Sequence, residues 1–387
     1  MHKDGSAKYV FIYCIICTMQ STAQRNSILD LMRGYFLTAI LVSHFYKFPS
    51  PFTLLNGRGE LWVSAAPGFV FISGLLVGMV YKRKIQTLGY KAGITQLIKR
   101  GLKLHAFNIF FTVSYSMLGV YIGKWQYLNK GLLHQDFFSA FTKALTFQYS
   151  YGWADLLIYY SIMLLFVSPL VITLFHKGIV KPIIAMSFVI WLAMFILPGT
   201  QAFTGSYLPV ESWQFLFVLG LTAGYFKEYF AGLYRKYFHS GSNRNAYILM
   251  ALFAVTLTLS VADRFYSVFG GDTKRLLDIW FKKSDLAPGL LVTFFIWFTS
   301  MYYVFGKFQG LIAKYLGWLF YPYGKNSLLT YSVQSIFLFI QFYMVFKNTV
   351  FLNTVYNIVM ILVVLVTVKG VLWVTNNPRV KQFTSSL

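Results

Sequence analysis

One apolar stretch of the sequence carries three side chains that could take part in chemistry. The segment "RNSILDLMRGYFLTAILVSHF", residues 25–45, reads as a membrane-spanning helix from Ile28 onward, yet it contains Asp30, Arg33 and His44. A charged group inside a bilayer costs at least about 2.5 kcal/mol and usually marks a functional site. Arg33 and His44 are 11 residues apart. This is about three helical turns and a rise of roughly 16 Å, so both side chains project from the same side of the helix.

This spacing suits a long substrate with phosphates at one end and a reactive group at the other. A guanidinium binds phosphate groups well, and an imidazole can take and return a proton near neutral pH. Acyl-coenzyme A has this shape, so we predict Arg33 near its phosphates and His44 near its thioester. Asp30, one turn before Arg33, can pair with it. Alternatively, Arg33 extends to the inner headgroups with Asp30 as its partner, and a neighbouring helix satisfies His44.

The composition shows which elements must position these side chains. The chain has 387 residues, of which 57% are hydrophobic and only 12% are charged, whereas soluble domains average about 25% charged residues. The sequence therefore predicts an all-α, polytopic integral membrane protein with about ten transmembrane helices. The predicted spans are residues 28–48, 61–81, 101–122, 152–175, 180–199, 212–230, 245–264, 287–306, 327–346 and 350–374.

The distribution of basic residues predicts the orientation. The net charge is +23, but Lys and Arg lie in short clusters between apolar runs, which is typical of cytoplasmic loops and not of a nucleic-acid-binding face. Of the alternate loops, those on the side of residues 82–100 and 227–244 carry the greater number of Lys and Arg. Both termini are therefore predicted to be cytoplasmic, with membrane lipids as partners and no nucleic acid.

The predicted domain boundaries leave a short segment at each end. Residues 25–375 form the predicted transmembrane domain and residues 376–387 a cytoplasmic tail. Residues 1–24 are a weak signal peptide, an interfacial helix or an upstream extension of the true start, three alternatives that the sequence does not separate. Cys14 and Cys17, in "YCIICTM", have no further ligands nearby, so we interpret them as small apolar residues and expect no metal.

The second and third spans carry further candidates. In "APGFVFISGLLVGMVYKRK" the closely spaced small residues Gly68, Ser73, Gly74 and Gly78 are typical of close helix packing. Ser73 could also hydrogen-bond a histidine or a ligand.

Basic residues enter the third span from the predicted cytoplasmic side. Arg100 and Lys103, followed by His105, either add positive charge for the coenzyme phosphates or anchor the inner face. We assign Arg33, Ser73, Arg100 and Lys103 to predicted acyl-CoA binding.

Two groups of polar residues lie toward the predicted outer boundary. Asp155, beside Trp153 in "YGWADLLIYY", could orient the His44 imidazole and stabilise its protonated form, as carboxylates do in hydrolase triads. Alternatively, it is solvated or caps its helix.

A second outer group combines a carboxylate, an indole and an amide in "PVESWQFLFVLG", namely Glu211, Trp213 and Gln214. This combination is typical of sugar recognition, so these three residues and Trp153 are the predicted substrate-binding residues. For Trp213 an interfacial aromatic belt is the leading interpretation.

These segments resemble a known family of membrane enzymes. "RGYFLTAILVSH" followed by "FVFISGLLVG" is similar to the signature of acyltransferase family 3. "LDLMRG", "WADLLIYYSIMLLFVSPL", "ESWQFLFVLG" and "YGKNSLLTYSVQS" resemble more closely its OpgC branch, which O-acylates periplasmic glucans. The resemblance implies an acyl donor on the cytoplasmic side, His44 as catalytic base or transient acyl acceptor, and Arg33 as its companion. The chain departs from the family at Arg100–Gly–Leu–Lys103, where paired arginines are expected, so the role of these two residues is open.

Residues and resemblance together predict an acyl-CoA-dependent O-acyltransferase of the bacterial inner membrane. Acetyl-CoA or succinyl-CoA is the expected co-substrate and a glycan or lipid-linked sugar the expected acceptor, with His44, Arg33 and Asp155 as catalytic residues and Asp30 in support. A transporter or flippase for an anionic or sugar-lipid substrate would show similar polar residues but would consume no thioester, and an inactive scaffold would bind no coenzyme A. The oligomeric state is left open.

Overall fold

The computed structural model describes residues 27–45, 49–121, 137–197, 209–238, 243–341 and 349–376. Within these ranges every regular element is a helix, which confirms the predicted all-α class. The predicted N-terminal extension and nearly all of the predicted tail lie outside the described residues. The boundaries of the transmembrane domain therefore stay predictions.

The helices are built from the apolar runs seen in the sequence. In chain order they are α1 (Ser27–Phe45), α2 (Thr53–Asn56), α3 (Ala65–Leu88), α4 (Tyr90–Tyr121), α5 (Phe137–Leu145), α6 (Asp155–His176), α7 (Lys181–Ile196), α8 (Val210–Tyr225), α9 (Lys227–Phe238), α10 (Arg244–Phe265), α11 (Gly271–Trp280), α12 (Pro288–Lys307), α13 (Gln309–Lys325), α14 (Ser327–Gln341) and α15 (Val350–Asn376). Within α6 the residues Met163–Val167 form a π-helical turn, a feature that often accompanies functional sites.

Five of these helices are long and apolar enough to cross a membrane, namely α3, α6, α10, α12 and α15. Each overlaps a predicted span, so the chain is a membrane protein by length and composition. Helices α7 and α14 are apolar but shorter. The total of ten spans and the cytoplasmic location of both termini stay predictions.

Two of the differences between the structure and the sequence prediction concern where helices end. The predicted loop 82–100 is almost entirely helical, because α3 and α4 are separated by Gly89 alone, whose φ of 85° lies in a region that favours glycine. The predicted span 212–230 is not one helix, because α8 ends at Tyr225 and α9 begins at Lys227. Helix α9 has no buried residue. The charged residues of its first turn therefore lie outside the core that α8 occupies.

Helices α3 and α8 approach each other so closely that glycines are required on both. An added Cβ at Gly74 would lie 2.2 Å from the Phe217 backbone oxygen, and one at Gly220 would lie 2.2 Å from the Phe71 backbone oxygen. Gly78 and Gly224 make equivalent backbone contacts one turn further along. The predicted packing role of the glycines in the second span is confirmed, with glycines of α8 as their counterparts.

Helices α1 and α13 are packed by the same device. An added Cβ at Gly34 would lie 2.1 Å from the Phe320 backbone oxygen, and one at Gly324 would lie 1.9 Å from the Asp30 backbone oxygen. Both glycines face backbone atoms, which cannot move away by rotating a side chain. The Arg33 end of α1 is therefore held directly against α13.

We expect Gly74→Ala to destabilise the protein, because the added methyl group must push two helix backbones apart. Overpacking of this kind typically costs about 1–3 kcal/mol. The measurement is the thermal unfolding midpoint of the purified protein in detergent, which should fall. Gly370→Ala is the matched control, since an added Cβ there meets nothing within 4 Å. An unchanged midpoint for Gly74→Ala would show that the α3–α8 contact is not tight.

Candidate active site

A cavity of about 530 Å³, counting the open space at its mouth, lies between five helices. Two arginines, two serines and two tyrosines supply its polar lining, and leucines, a valine and a phenylalanine the rest. The lining residues are Arg33 from α1; Phe69, Ser73, Leu76 and Val77 from α3; Arg100 and Leu104 from α4; Leu156, Leu157, Tyr160 and Leu164 from α6; and Ser327, Leu328 and Tyr331 from α14.

The half-buried Arg33 side chain is held in this cavity by two contacts with α3. Its Nη2 donates to Ser73 Oγ at 3.5 Å, and its guanidinium carbon lies 5.3 Å from the centre of the Phe69 ring, within the range of a cation–π contact. Arg33 therefore faces a neighbouring helix and a cavity. The alternative prediction had the side chain extended to the lipid headgroups. The predicted pairing of Arg33 with Asp30 stays a prediction.

Arg100 brings a second positive charge to the same cavity. It is exposed, one residue before the buried Gly101, and lines the cavity through α4. Three predicted acyl-CoA residues, Arg33, Ser73 and Arg100, therefore meet in one place. Lys103 is exposed and is not among the described residues that line the cavity.

Two tyrosines complete the polar lining and were not singled out in the sequence. The Tyr160 hydroxyl donates to the Phe69 backbone oxygen at 3.2 Å, and the Tyr331 hydroxyl accepts from the Leu156 backbone N–H at 3.4 Å. The chain has 28 tyrosines, so a tyrosine in an apolar run is not a distinctive signal. The π-helical turn that follows Tyr160 is equally invisible in the sequence.

His44 lies at the other end of α1 and contacts α14. The Gln334 amide nitrogen lies 3.3 Å from His44 Nδ1, and the Gln341 amide nitrogen donates to the His44 backbone oxygen at 3.3 Å. Because Ser327 of α14 lines the cavity beside Arg33, α14 runs in the same direction as α1 and reaches both functional side chains. Gln334 was not predicted from the sequence, although it lies in "YGKNSLLTYSVQS".

With this geometry described, comparison with known proteins identifies the family. A family model described as OpgC protein matches residues 25–376, nearly the whole chain. The chain belongs to the OpgC family. Membership indicates an acyl- or succinyltransferase-like role in glycan modification at a membrane. Neither the curated proteins nor the solved structures contain a match to the chain.

The position of Asp155 in this OpgC-family chain is compatible with more than one role. It is half-buried at the first residue of α6, and it interacts electrostatically with Tyr149 and Tyr331. Its predicted role toward His44 stays a prediction. Trp153 belongs to the 3₁₀ turn just before α6, and its side chain lies outside the described residues.

The predicted sugar-binding group is packed inside the protein. The Trp213 side chain is only 2% exposed, and its indole N–H donates to the Ser284 backbone oxygen at 3.0 Å. Gln214 exchanges hydrogen bonds with Ser187, and Glu211 is half-buried beside them. The structure does not place Trp213 in an exposed belt. A sugar would have to displace these contacts, so the sugar-binding role stays a prediction.

A loop near the His44 end of α1 is fastened by Lys283. The Lys283 ammonium donates to the Gly59 backbone oxygen, and a Cβ on Gly59 would lie 3.6 Å from Ser43 Oγ. Burial lowers the pKa of Lys283 to about 8, partly countered by Glu60. The loop after α2 is therefore in contact with the residue next to His44.

Among the described residues, no group of three His, Cys, Asp or Glu could hold a metal ion.

We expect Arg100→Gln to weaken the binding of coenzyme A to the purified protein about tenfold or more, because one charge-assisted phosphate contact is typically worth about 1.5–3 kcal/mol. The measurement is isothermal titration calorimetry in detergent. Lys99→Gln is the control, since Lys99 is the adjacent, equally exposed cation and does not line the cavity. Equal affinity for the Arg100→Gln variant and the unmodified protein would favour the alternative that Arg100 only anchors the inner face.

Proposed function

We propose that the chain is an O-acyltransferase of the bacterial inner membrane. It transfers an acetyl or succinyl group from cytoplasmic acyl-CoA to a hydroxyl of an extracytoplasmic glycan or lipid-linked sugar. The observation that carries this proposal is the cavity that joins Arg33 to Ser73 and Arg100, with α14 leading from it to His44. Membrane lipids surround the protein, and neither metal nor nucleic acid takes part.

The polar lining of the cavity supports binding of the coenzyme. Arg33 and Arg100 are the cations among the described residues that line it, and guanidinium groups bind phosphates in a bidentate manner. The leucines of α6 and the aliphatic residues of α3 provide an apolar wall for the slender pantetheine arm. Arg33 and His44 are 11 residues apart on one helix, a rise of about 16 Å, so the arm spans this distance and brings the thioester to His44.

In the chemical step His44 acts as a general base. A ring nitrogen of His44 takes the proton of the acceptor hydroxyl, and the hydroxyl oxygen attacks the thioester carbonyl carbon. The carbon–sulfur bond then breaks, and the coenzyme leaves as a thiolate that takes the proton back from the imidazolium. The products are an ester and coenzyme A, and His44 returns to its initial state. Asp155 supports the imidazolium, as carboxylates do in comparable enzymes.

Alanine at His44 is expected to abolish acyl transfer, because general acid–base catalysis typically contributes about 10²- to 10⁴-fold. The measurement is mass spectrometry of envelope glycans from cells that express the His44→Ala variant, which should lack the added acyl mass. Membrane insertion and the unfolding midpoint of the variant should match those of the unmodified protein.

Acyl masses at the normal level in cells with the His44→Ala variant would contradict the mechanism. A chain that moves its substrate without loss of acyl groups from labelled acetyl-CoA or succinyl-CoA would instead be a transporter or flippase. Incubation of the purified protein with both labelled donors also shows which acyl group is transferred.

A further inference from the structure

The His44 imidazole has a buried amide neighbour whose role the family assignment does not define. Gln334 is completely buried, and its amide nitrogen lies 3.3 Å from His44 Nδ1. Its carbonyl oxygen Oε1 is buried and has no hydrogen-bond partner within the described part of the chain. A buried polar atom without a partner costs about 1–3 kcal/mol, so its presence in a native structure requires an explanation, of which a catalytic role is one.

We propose that Gln334 is a positioning residue that sets which ring nitrogen of His44 faces the substrate. This inference rests on the proposed acyl transfer. The two ends of a glutamine amide are nearly equal in size but opposite in hydrogen bonding, since the nitrogen donates and the oxygen accepts. Rotation of the amide by 180° therefore presents either a donor or an acceptor to Nδ1 without changing the packing around it.

The two amide orientations favour opposite tautomers of His44. When the amide nitrogen donates to Nδ1, the ring proton is on Nε2, and Nε2 cannot take another. When Oε1 accepts from Nδ1–H, Nε2 carries a lone pair and can take the proton of the acceptor hydroxyl. Oε1 then continues to accept from Nδ1–H in the imidazolium. The second orientation therefore supports His44 both as the neutral base before the proton transfer and as the imidazolium acid after it.

The surroundings of Gln334 allow it to hold the ring in a defined place. It follows Tyr331 by three residues on the same face of α14, and Tyr331 lines the cavity. The neighbouring Ser335 is bound to the Tyr115 hydroxyl at 2.8 Å, and Gln341 binds the His44 backbone oxygen. Helix α14 therefore fixes the backbone of His44 through one amide and its ring through another.

The test compares variants at Gln334 in the purified full-length protein, with labelled succinyl-CoA and acetyl-CoA as donors and a glucan as acceptor. Gln334→Met keeps the length of the side chain but cannot hydrogen-bond, and Gln334→Asn stays polar but is too short to reach Nδ1. Both should lower kcat by about tenfold to a hundredfold, the range found when a metal-ligating histidine loses the partner that orients it, with KM for the acyl-CoA unchanged. Gln334→Glu retains an acceptor for Nδ1–H and should restore most of kcat.

Ser335→Ala is the matched control, because it removes a buried hydrogen-bonding group from the same helix without touching His44. It should keep kcat near that of the unmodified protein. Gln334→Met and Gln334→Asn both lose the hydrogen bond to His44 but differ in packing. The unfolding midpoint of each is measured, so a loss of the hydrogen bond can be told from a loss of folding. Normal kcat in both folded variants would overturn the proposal.

A spectroscopic measurement keeps this inference separate from the proposed function. In protein labelled with ¹⁵N-histidine, the ring-nitrogen signals that disappear in His44→Ala belong to His44. They should move in Gln334→Met and stay in place in Ser335→Ala, and identical His44 signals in Gln334→Met and the unmodified protein would overturn the proposal. If these signals move as expected but the unmodified protein transfers no acyl group, the acyltransferase assignment fails while the control of the His44 ring by Gln334 is supported.

Discussion

Direct backbone contact between helices determines where the functional side chains lie. Arg33 precedes Gly34, whose Cα faces the Phe320 carbonyl of α13, and Ser73 precedes Gly74, whose Cα faces the Phe217 carbonyl of α8. Inside a bilayer the hydrophobic effect contributes little to the association of helices, because lipid tails are as apolar as the side chains. Close van der Waals packing through small residues therefore holds the helices together. The contact between Arg33 and Ser73 at 3.5 Å depends on both pairs of helices, because a Cβ at either glycine would displace one of the two helices that carry these side chains.

Helix α14 gives the two ends of the candidate site a common support. Its first turns line the cavity with Ser327 and Tyr331, and its later turns contact His44 through Gln334 and Gln341. Seven residues separate Ser327 from Gln334, which is about two turns and roughly 10 Å of rise on the same face. A substrate that extends along α1 from Arg33 to His44 would therefore follow α14 as well. The relative position of the two functional side chains is fixed by two roughly co-directional helices and not by loops.

The sequence predicted those features that are carried by charge or by small residues. Arg33 and His44 are recognisable because polar residues are rare in apolar runs, and the glycines of α3 because close packing requires them. The partners of these residues could not be predicted in the same way. Tyr160 and Tyr331 are ordinary residues in apolar helices, and Gln334 lies in a helix that also carries three serines and a threonine. Only the fold shows that these three residues meet α1 and α3. Trp213 and Gln214 illustrate the opposite case, because residue types typical of sugar binding are used here for contacts with Ser284 and Ser187.

The two ends of α1 are held by different kinds of interaction, and this difference bears on function. At the Arg33 end the constraint is backbone packing on α13, which leaves no room for movement. At the His44 end the constraint is polar: Lys283 binds the loop beside Ser43, and Trp62 of the same loop donates to the buried Asp263, which also binds Lys274 at 2.7 Å. Polar contacts can exchange with water or with a hydroxyl-bearing substrate, whereas interlocked backbones cannot. The Arg33 end of the candidate site is therefore held rigidly. At the His44 end the contacting loop is held by hydrogen bonds that can be replaced, which is what the approach of a bulky acceptor such as the proposed glycan would require.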